Sequence, residues 1–184
     1  DSLDSLADTA SARNLWFHVD GAFGATAILC PEIKPLLKGL ERADSLGFDF
    51  HKWLHVNYDA GCVLVRSKEK HLESFSGRPE YLGGSERGLA AGSPWPVDFG
   101  PELSRGFRAL KIWSHLLEQG TDRLGKAIAR NCEQARYLER KINDSKTLEL
   151  LAPANLNIVC FRYLFDNVLD INSLNKEIVT RLQE

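Results

Sequence analysis

Methionine is absent from the whole sequence, its first position included. No apolar run approaches the roughly 20 residues that a helix needs to cross a bilayer. The opening residues lack the basic stretch and apolar core of a secretory leader. Charge of one sign is also lacking: 23 Lys and Arg stand against 25 Asp and Glu, for a formal net charge of −2. That balance gives no electrostatic case for a nucleic-acid partner or an acidic membrane surface. The expectation is a cytoplasmic protein whose partner is a small molecule.

Paired cysteines are missing as well. Cys30, Cys62, Cys132 and Cys160 lie far apart and form no C-x-x-C. Each sits among apolar neighbours, as in Val159-Cys160-Phe161, so buried free thiols are expected rather than disulfides or metal ligands.

What is present is a chain of 184 residues, 43% of them hydrophobic, enough for a sizeable core. A short polar segment, Asp1 to Asn14, leads almost at once into a strand, and a helical pattern is still running at Glu184. With the missing methionine, these ends suggest a piece of a longer protein.

Leu15 to Val19 is a short β-prone run closed by Asp20-Gly21, which predicts a buried strand ending in a turn. Ile33, Leu36, Leu37 and Leu40 mark a helical stripe over 31–42, with Pro31 in its first turn. Ala43 to Asp49 and Gly61 to Val65 predict two more strands. The helix-sized gap before the first of these implies a parallel crossover. Ten Gly and Pro cluster between Gly77 and Pro101, the composition of a functional lid. Helices are then predicted over 102–119, stopped by Gly120, and over 121–143 with Thr121 as cap. Strands at 148–151 and 158–164 and a last helix from about Asp170 complete the pattern. The order predicts an α/β fold with a smaller α+β unit attached, divided inside the second long helix at about residue 125.

Asp20 directly follows an apolar strand at its carboxyl end, where open α/β sheets hold ligands. A carboxylate buried there needs a cationic partner, and a protonated ring nitrogen would serve. A plain turn aspartate fits the same segment. Lys52 sits among Phe50, His51, Trp53 and Leu54, so an apolar surrounding that lowers its pKa is expected, as an amine nucleophile requires. A lysine snorkelling from a sheet edge is the other reading. His18 shares a strand face with Asp20 and fits either a site or a core role. His55, His71 and His115 have no metal-like spacing. Arg105 and Arg108, one turn apart on a helix, fit a carboxylate of either the fold or a substrate, with the structural role expected, and Arg162 is expected to be structural too. Taken together, two neighbouring strand ends offer a base for a pyridine nitrogen and an amine for an aldehyde.

The segments His18-Val19-Asp20-Gly21-Ala22-Phe23-Gly24, Ala43-Asp44-Ser45 and His51-Lys52-Trp53-Leu54 closely resemble the group II pyridoxal-phosphate-dependent amino-acid decarboxylases. This family includes the aromatic-amino-acid, histidine, glutamate and cysteine-sulfinate decarboxylases. The likeness continues through Arg78-Pro79-Glu80-Tyr81-Leu82, Phe107-Arg108-Ala109-Leu110-Lys111-Ile112-Trp113 and Ile158-Val159-Cys160-Phe161-Arg162, covering about residues 15 to 165. It implies the fold type I, aspartate aminotransferase-like architecture of PLP-dependent transferases. Residues 1–125 would be the C-terminal part of the cofactor-binding large domain, and 126–184 the start of the small C-terminal domain.

Residue by residue, the resemblance implies that Lys52 forms the Schiff base with pyridoxal 5′-phosphate and that Asp20 pairs with the pyridinium nitrogen. Ala22 would pack on one face of the ring, His51 would contact the phosphate, and His18 would support the site. Position 49 is often a phosphate-binding asparagine in the family. The aspartate here would repel a phosphate, so Asp49 is expected to point away or to bind through its backbone. Tyr81 matches a loop tyrosine that returns a proton after carbon dioxide leaves; relatives with phenylalanine there make aldehydes. The Ser93-Pro94-Trp95-Pro96 stretch departs from the better-known members.

The implied protein is a lyase: a homodimeric carboxy-lyase of amino-acid metabolism that acts on an L-amino acid, aromatic by the branch its motifs favour. Its rivals are a decarboxylase of an acidic amino acid, an aldehyde synthase or carbon–carbon lyase, and an inactive fragment or pseudoenzyme that only dimerises or binds.

Overall fold

The computed structural model describes residues 2–75, 77, 83, 85–89, 91–92, 94–165 and 170–184. They form two compact units, 1–121 and 122–184, so the division falls a few residues before the expected one.

The first unit is built on a three-stranded sheet. β1 (His18–Asp20) runs parallel to β2 (Ser45–Asp49), with His18 opposite Ser45 and Asp20 opposite Gly47. β3 (Gly61–Val65) runs antiparallel on the other side of β2, with Asp49 opposite Gly61. Successive side chains alternate across a strand. His18, Asp20, Ser45, Gly47 and Asp49 therefore share one face, and Leu46, Phe48 and Leu64 the other. The second face borders an apolar cavity of about 360 Å³ that Ala25, Ile28, Leu54 and Leu116 also line.

The polar opening segment is mostly helical: α1 (Leu3–Ala12) starts at Ser2, whose hydroxyl accepts the Ser5 N–H at 3.2 Å. α1 buries Ala7 and Ala10, and Asp4 pairs with Lys38 at 2.8 Å and Arg42 at 2.6 Å.

Several expected elements are corrected. The helix expected over 31–42 is instead two 3₁₀ turns, Lys34–Leu37 and Leu40–Arg42. Pro35 removes an amide donor from that stretch, and Gly39 takes a left-handed conformation (φ 100°) where a Cβ would lie 2.3 Å from the Asp4 nitrogen. The first strand starts three residues late, and Leu15 and Trp16 are exposed rather than buried. α2 (Lys68–Phe75) was not anticipated; it buries no residue and so shows no apolar stripe.

α3 (Arg108–Asn143) begins well inside the helix expected from residue 102. It breaks at Gly120 (φ 68°, ψ 157°), the residue expected to stop it. Arg105 donates to the Pro96 carbonyl at 2.7 Å, while Arg108 pairs with Asp59 at 2.8 Å and Glu102 at 2.9 Å. All of these are structural roles.

In the second unit the later half of α3 buries Leu124, Ile128, Cys132, Ala135 and Ile142. β4 (Leu148–Ala152) and β5 (Cys160–Tyr163) form an antiparallel pair, and Arg162 pairs with Glu149 across it. α4 (Ile171–Gln183) starts at Asp170, whose carboxylate accepts the Asn172 and Ser173 N–H groups at 3.1 Å each. Of the four free cysteines, Cys30 and Cys132 are buried and Cys62 is half-buried, but Cys160 is exposed, against expectation. Among the described residues no helix is long and apolar enough to cross a membrane.

Candidate active site

The strand tips carry the site. After Asp20 the chain turns at once, and Ala22 donates its N–H to Asp20 Oδ1 at 3.0 Å. The Gly21 N–H bonds to the Gly47 carbonyl at 2.8 Å and the Asp49 N–H to the Ala22 carbonyl at 3.3 Å, tying this turn to β2. No larger residue fits at position 21. A Cβ there would lie 2.5 Å from the Ala25 Cβ and 2.9 Å from Leu46 Cδ1.

Beyond β2 the chain turns again over residues 50–54. Trp53 and Leu54, 4% and 3% exposed, take the buried directions, which turns Lys52 outward. The Trp53 ring stacks on Phe23, centroids 4.8 Å apart and planes 6° from parallel. This stack joins the turn after Asp20 to the turn that carries Lys52. It escaped the sequence reading, although the pattern of one aromatic just past each functional residue was visible.

Lys52 corrects the expectation of a shielded, low-pKa amine. Its side chain is 45% exposed, and its Nζ lies 2.8 Å from Asp49 Oδ2. The Asp49 carboxylate, by hydrogen bond and charge, holds the Lys52 pKa above the usual lysine value. Desolvation opposes this and is second only to the Asp49 hydrogen bond, while the charges of Asp20 and Tyr58 add smaller amounts to the rise. Asp20 acts on Lys52 through space, so both groups address one region. Asp20 is also exposed rather than buried, at the open edge of the sheet.

His51 is fixed by its surroundings. Its Nδ1 accepts the Ala60 backbone N–H at 2.9 Å. A ring nitrogen that accepts cannot carry the proton, so the proton of the neutral ring sits on Nε2. That nitrogen lies 3.9 Å from Asp49 Oδ2, on the Lys52 side. The ring also meets Tyr58 edge-on, centroids 4.7 Å apart.

His18 belongs to the same face and is exposed in this chain. Its Nδ1 lies 2.7 Å from Ser45 Oγ, which in turn accepts the Trp16 indole N–H at 2.8 Å. Sequence reasoning missed Ser45 and Trp16; the alternation 16-18-20 was the available signal. Gly47 leaves the floor between the strand tips bare. A Cβ there would have only His18 atoms within 4 Å, at 3.8 and 4.0 Å. A cleft of about 420 Å³ lies further from the tips, bordered by Trp16, Ser45, Val65, Lys70 and His71, and includes neither Asp20 nor Lys52.

Tyr81 and its neighbours 78–82 lie outside the described residues, as does Ser93. Among the described residues no group of three or more His, Cys, Asp or Glu could hold a metal ion.

A face bearing two carboxylates, an amine and a fixed imidazole donor around a bare floor suits a flat, anionic aldehyde. The profile described as the pyridoxal-dependent decarboxylase conserved domain matches residues 1–164. The chain is 38% identical to an aromatic-L-amino-acid decarboxylase of Bacillus atrophaeus, over 99% of its own length and 38% of the relative's. It is 36% identical to a phenylacetaldehyde synthase of a Rosa hybrid cultivar, over 88% of its length and 31% of the relative's. The crystal structure of Oryza sativa TDC with PLP and tryptamine superposes with a TM-score of 0.85 at 29% identity, covering 99% of this chain and 38% of that one. The chain thus spans less than two fifths of each of these proteins. Within that span the motifs, the fold and the conserved domain coincide, and the chain belongs to the pyridoxal-dependent decarboxylase family.

Proposed function

We propose that the protein decarboxylates an L-amino acid, aromatic in its side chain, to the amine and carbon dioxide, with Lys52 as the cofactor lysine. The family's cofactor is pyridoxal 5′-phosphate. The observation that carries the reading is the convergence of Asp20, Lys52 and the His51 donor at two adjacent parallel strand tips.

The residues fit that cofactor on geometric grounds. The bare floor at Gly47 leaves room for a flat ring, and among the described residues only His18 comes near it. Asp20 spends Oδ1 on the Ala22 N–H, and among the described residues nothing donates to Oδ2. The half-exposed Lys52 amine is reachable, and His51 presents Nε2–H to an anion. Asp49 alone does not fit a phosphate contact, because its carboxylate would repel one; it faces Lys52 instead.

When bound, the cofactor supplies an electron sink for the pair left behind as carbon dioxide departs. Lys52 Nζ would hold the cofactor through its aldehyde group. Asp20 would keep a proton on the ring nitrogen and so favour an electron-poor ring. Ala22, small enough not to collide, would leave room for the ring, and His51 would donate to the phosphate. His18, held by Ser45, supports the Asp20 side of the floor. Tyr81, outside the described residues, would supply the proton that the carbon needs after carbon dioxide departs, a task suited to a tyrosine hydroxyl. The assembled protein is a homodimer in this reading.

A second reading, an aldehyde synthase, is favoured by the Rosa relative; the tyrosine at position 81 speaks for amine formation. Product analysis of the whole protein with a panel of amino acids tests the choice. Amine with carbon dioxide from aromatic substrates is expected; aldehyde with ammonia would move the protein to the second reading.

A further inference from the structure

We propose that Asp49 is a proton gate on cofactor capture: its carboxylate holds Lys52 as an ammonium ion, and the aldehyde bonds to Lys52 only in molecules that have lost that proton. The inference rests on Lys52 being the cofactor lysine and adds a role for Asp49 that no phosphate contact explains.

The geometry is direct. Asp49 Oδ2 lies 2.8 Å from Lys52 Nζ, one turn along the chain. The Asp49 side chain is 21% exposed against 45% for Lys52, so the carboxylate is the better fixed of the two. Asp49 ends β2 opposite Gly61, where a Cβ would come within 3.2 Å of Oδ1, so the bare glycine gives the carboxylate its room. The other groups facing Lys52 are Asp20 from β1 and Tyr58 from the loop before β3, and both favour the charged amine. His51 faces Asp49 from the same turn, with Nε2 at 3.9 Å. No cation confronts Lys52 among these groups to offset them.

The chemistry of capture makes the pair matter. An ammonium nitrogen has no lone pair, so Lys52 first gives one proton to water. Its nitrogen then bonds to the aldehyde carbon, and the carbonyl oxygen leaves as water with the two remaining amine hydrogens. No oxidant or reductant takes part. The Lys52 pKa is raised, so the ion pair is complete below the ordinary lysine value of about 10.4 and is lost as pH rises through the shifted value. Capture therefore climbs about tenfold per pH unit across the neutral range, because the neutral-amine fraction does so.

Replacing Asp49 by Asn keeps the shape and removes the charge. The test follows the capture of two probes by the cofactor-free whole protein: pyridoxal phosphate and pyridoxal, which lacks the phosphate. Absorbance and borohydride-trapped mass are read against pH at saturating probe. For Asp49→Asn the limiting rate at neutral pH is expected to rise about two- to fivefold, within the range for an exposed ion pair. The whole pH profile should shift to lower pH, equally for both probes. An unchanged limiting rate, or a gain confined to the phosphorylated probe, would overturn the gate and leave only phosphate repulsion. Should the variant not fold, the unmodified protein decides. The titration of Lys52, followed by the NMR signal of its reductively methylated amine, must lie above that of lysines with no carboxylate partner, Lys38 beside Asp4 being set aside; a value at or below theirs overturns the gate. Absence of any Lys52-dependent capture in the unmodified protein, with Lys52→Ala as control, would refute the proposed function itself and the gate with it.

Discussion

The ring of Phe23 lies flat on that of Trp53, 4.8 Å between centroids. The two residues come one from each strand tip, three past Asp20 and one past Lys52. Trp53 is 4% exposed, so removing its ring opens a large cavity as well as unpinning the turns. Trp53→Ala is expected to cost about 3–5 kcal/mol of stability. Trp53→Phe, which keeps a stacking ring, should cost clearly less and retain cofactor binding. Denaturant midpoints and cofactor titrations of the two variants check this.

The His51 ring is held by the Ala60 N–H at Nδ1, which leaves Nε2–H as its outward donor. In His51→Asn the side-chain oxygen can still accept from Ala60, but the outward donor is lost. A hydrogen bond to a charged group is worth about 1.5–3 kcal/mol. Affinity for pyridoxal phosphate should therefore fall by about tenfold or more, with little change for pyridoxal, as read by equilibrium titration.

In the proposed function Asp20 acts on the ring nitrogen and has little part in building the fold. It is exposed, and its one described hydrogen bond is to the adjacent turn. Asp20→Asn is expected to leave the melting temperature almost unchanged. Turnover should drop by about a hundredfold or more, the usual scale for losing one well-placed electrostatic contact in a site. Calorimetry and product release measured on one preparation separate the two effects.

The parts of the site that depend on chain-local pattern were legible in the sequence. Asp20 and Lys52 each follow an apolar run, and the parity of 18-20 and 45-47-49 follows from strand alternation. The Gly120 break and the Asp170 cap were readable because each depends on one residue's backbone chemistry. The exposure of Lys52 was not readable. Trp53 and Leu54 compete with it for the buried side of the turn, and only the packed structure decides which side chain turns in. The tautomer of His51 depends on an amide nine residues away, and a linear pattern does not carry that contact. The stretch over 31–42 misled because its apolar spacing suits a helix while Pro35 and Gly39 do not.

Trapping the aldehyde on the protein reaches the central claim most directly. The whole protein is mixed with pyridoxal phosphate, reduced with borohydride, digested with trypsin and mapped by mass. The account predicts one dominant adduct on the peptide containing Lys52, with tryptic cleavage after Lys52 suppressed and the label gone in Lys52→Ala. A label spread over surface lysines, with cleavage after Lys52 undiminished, would contradict it.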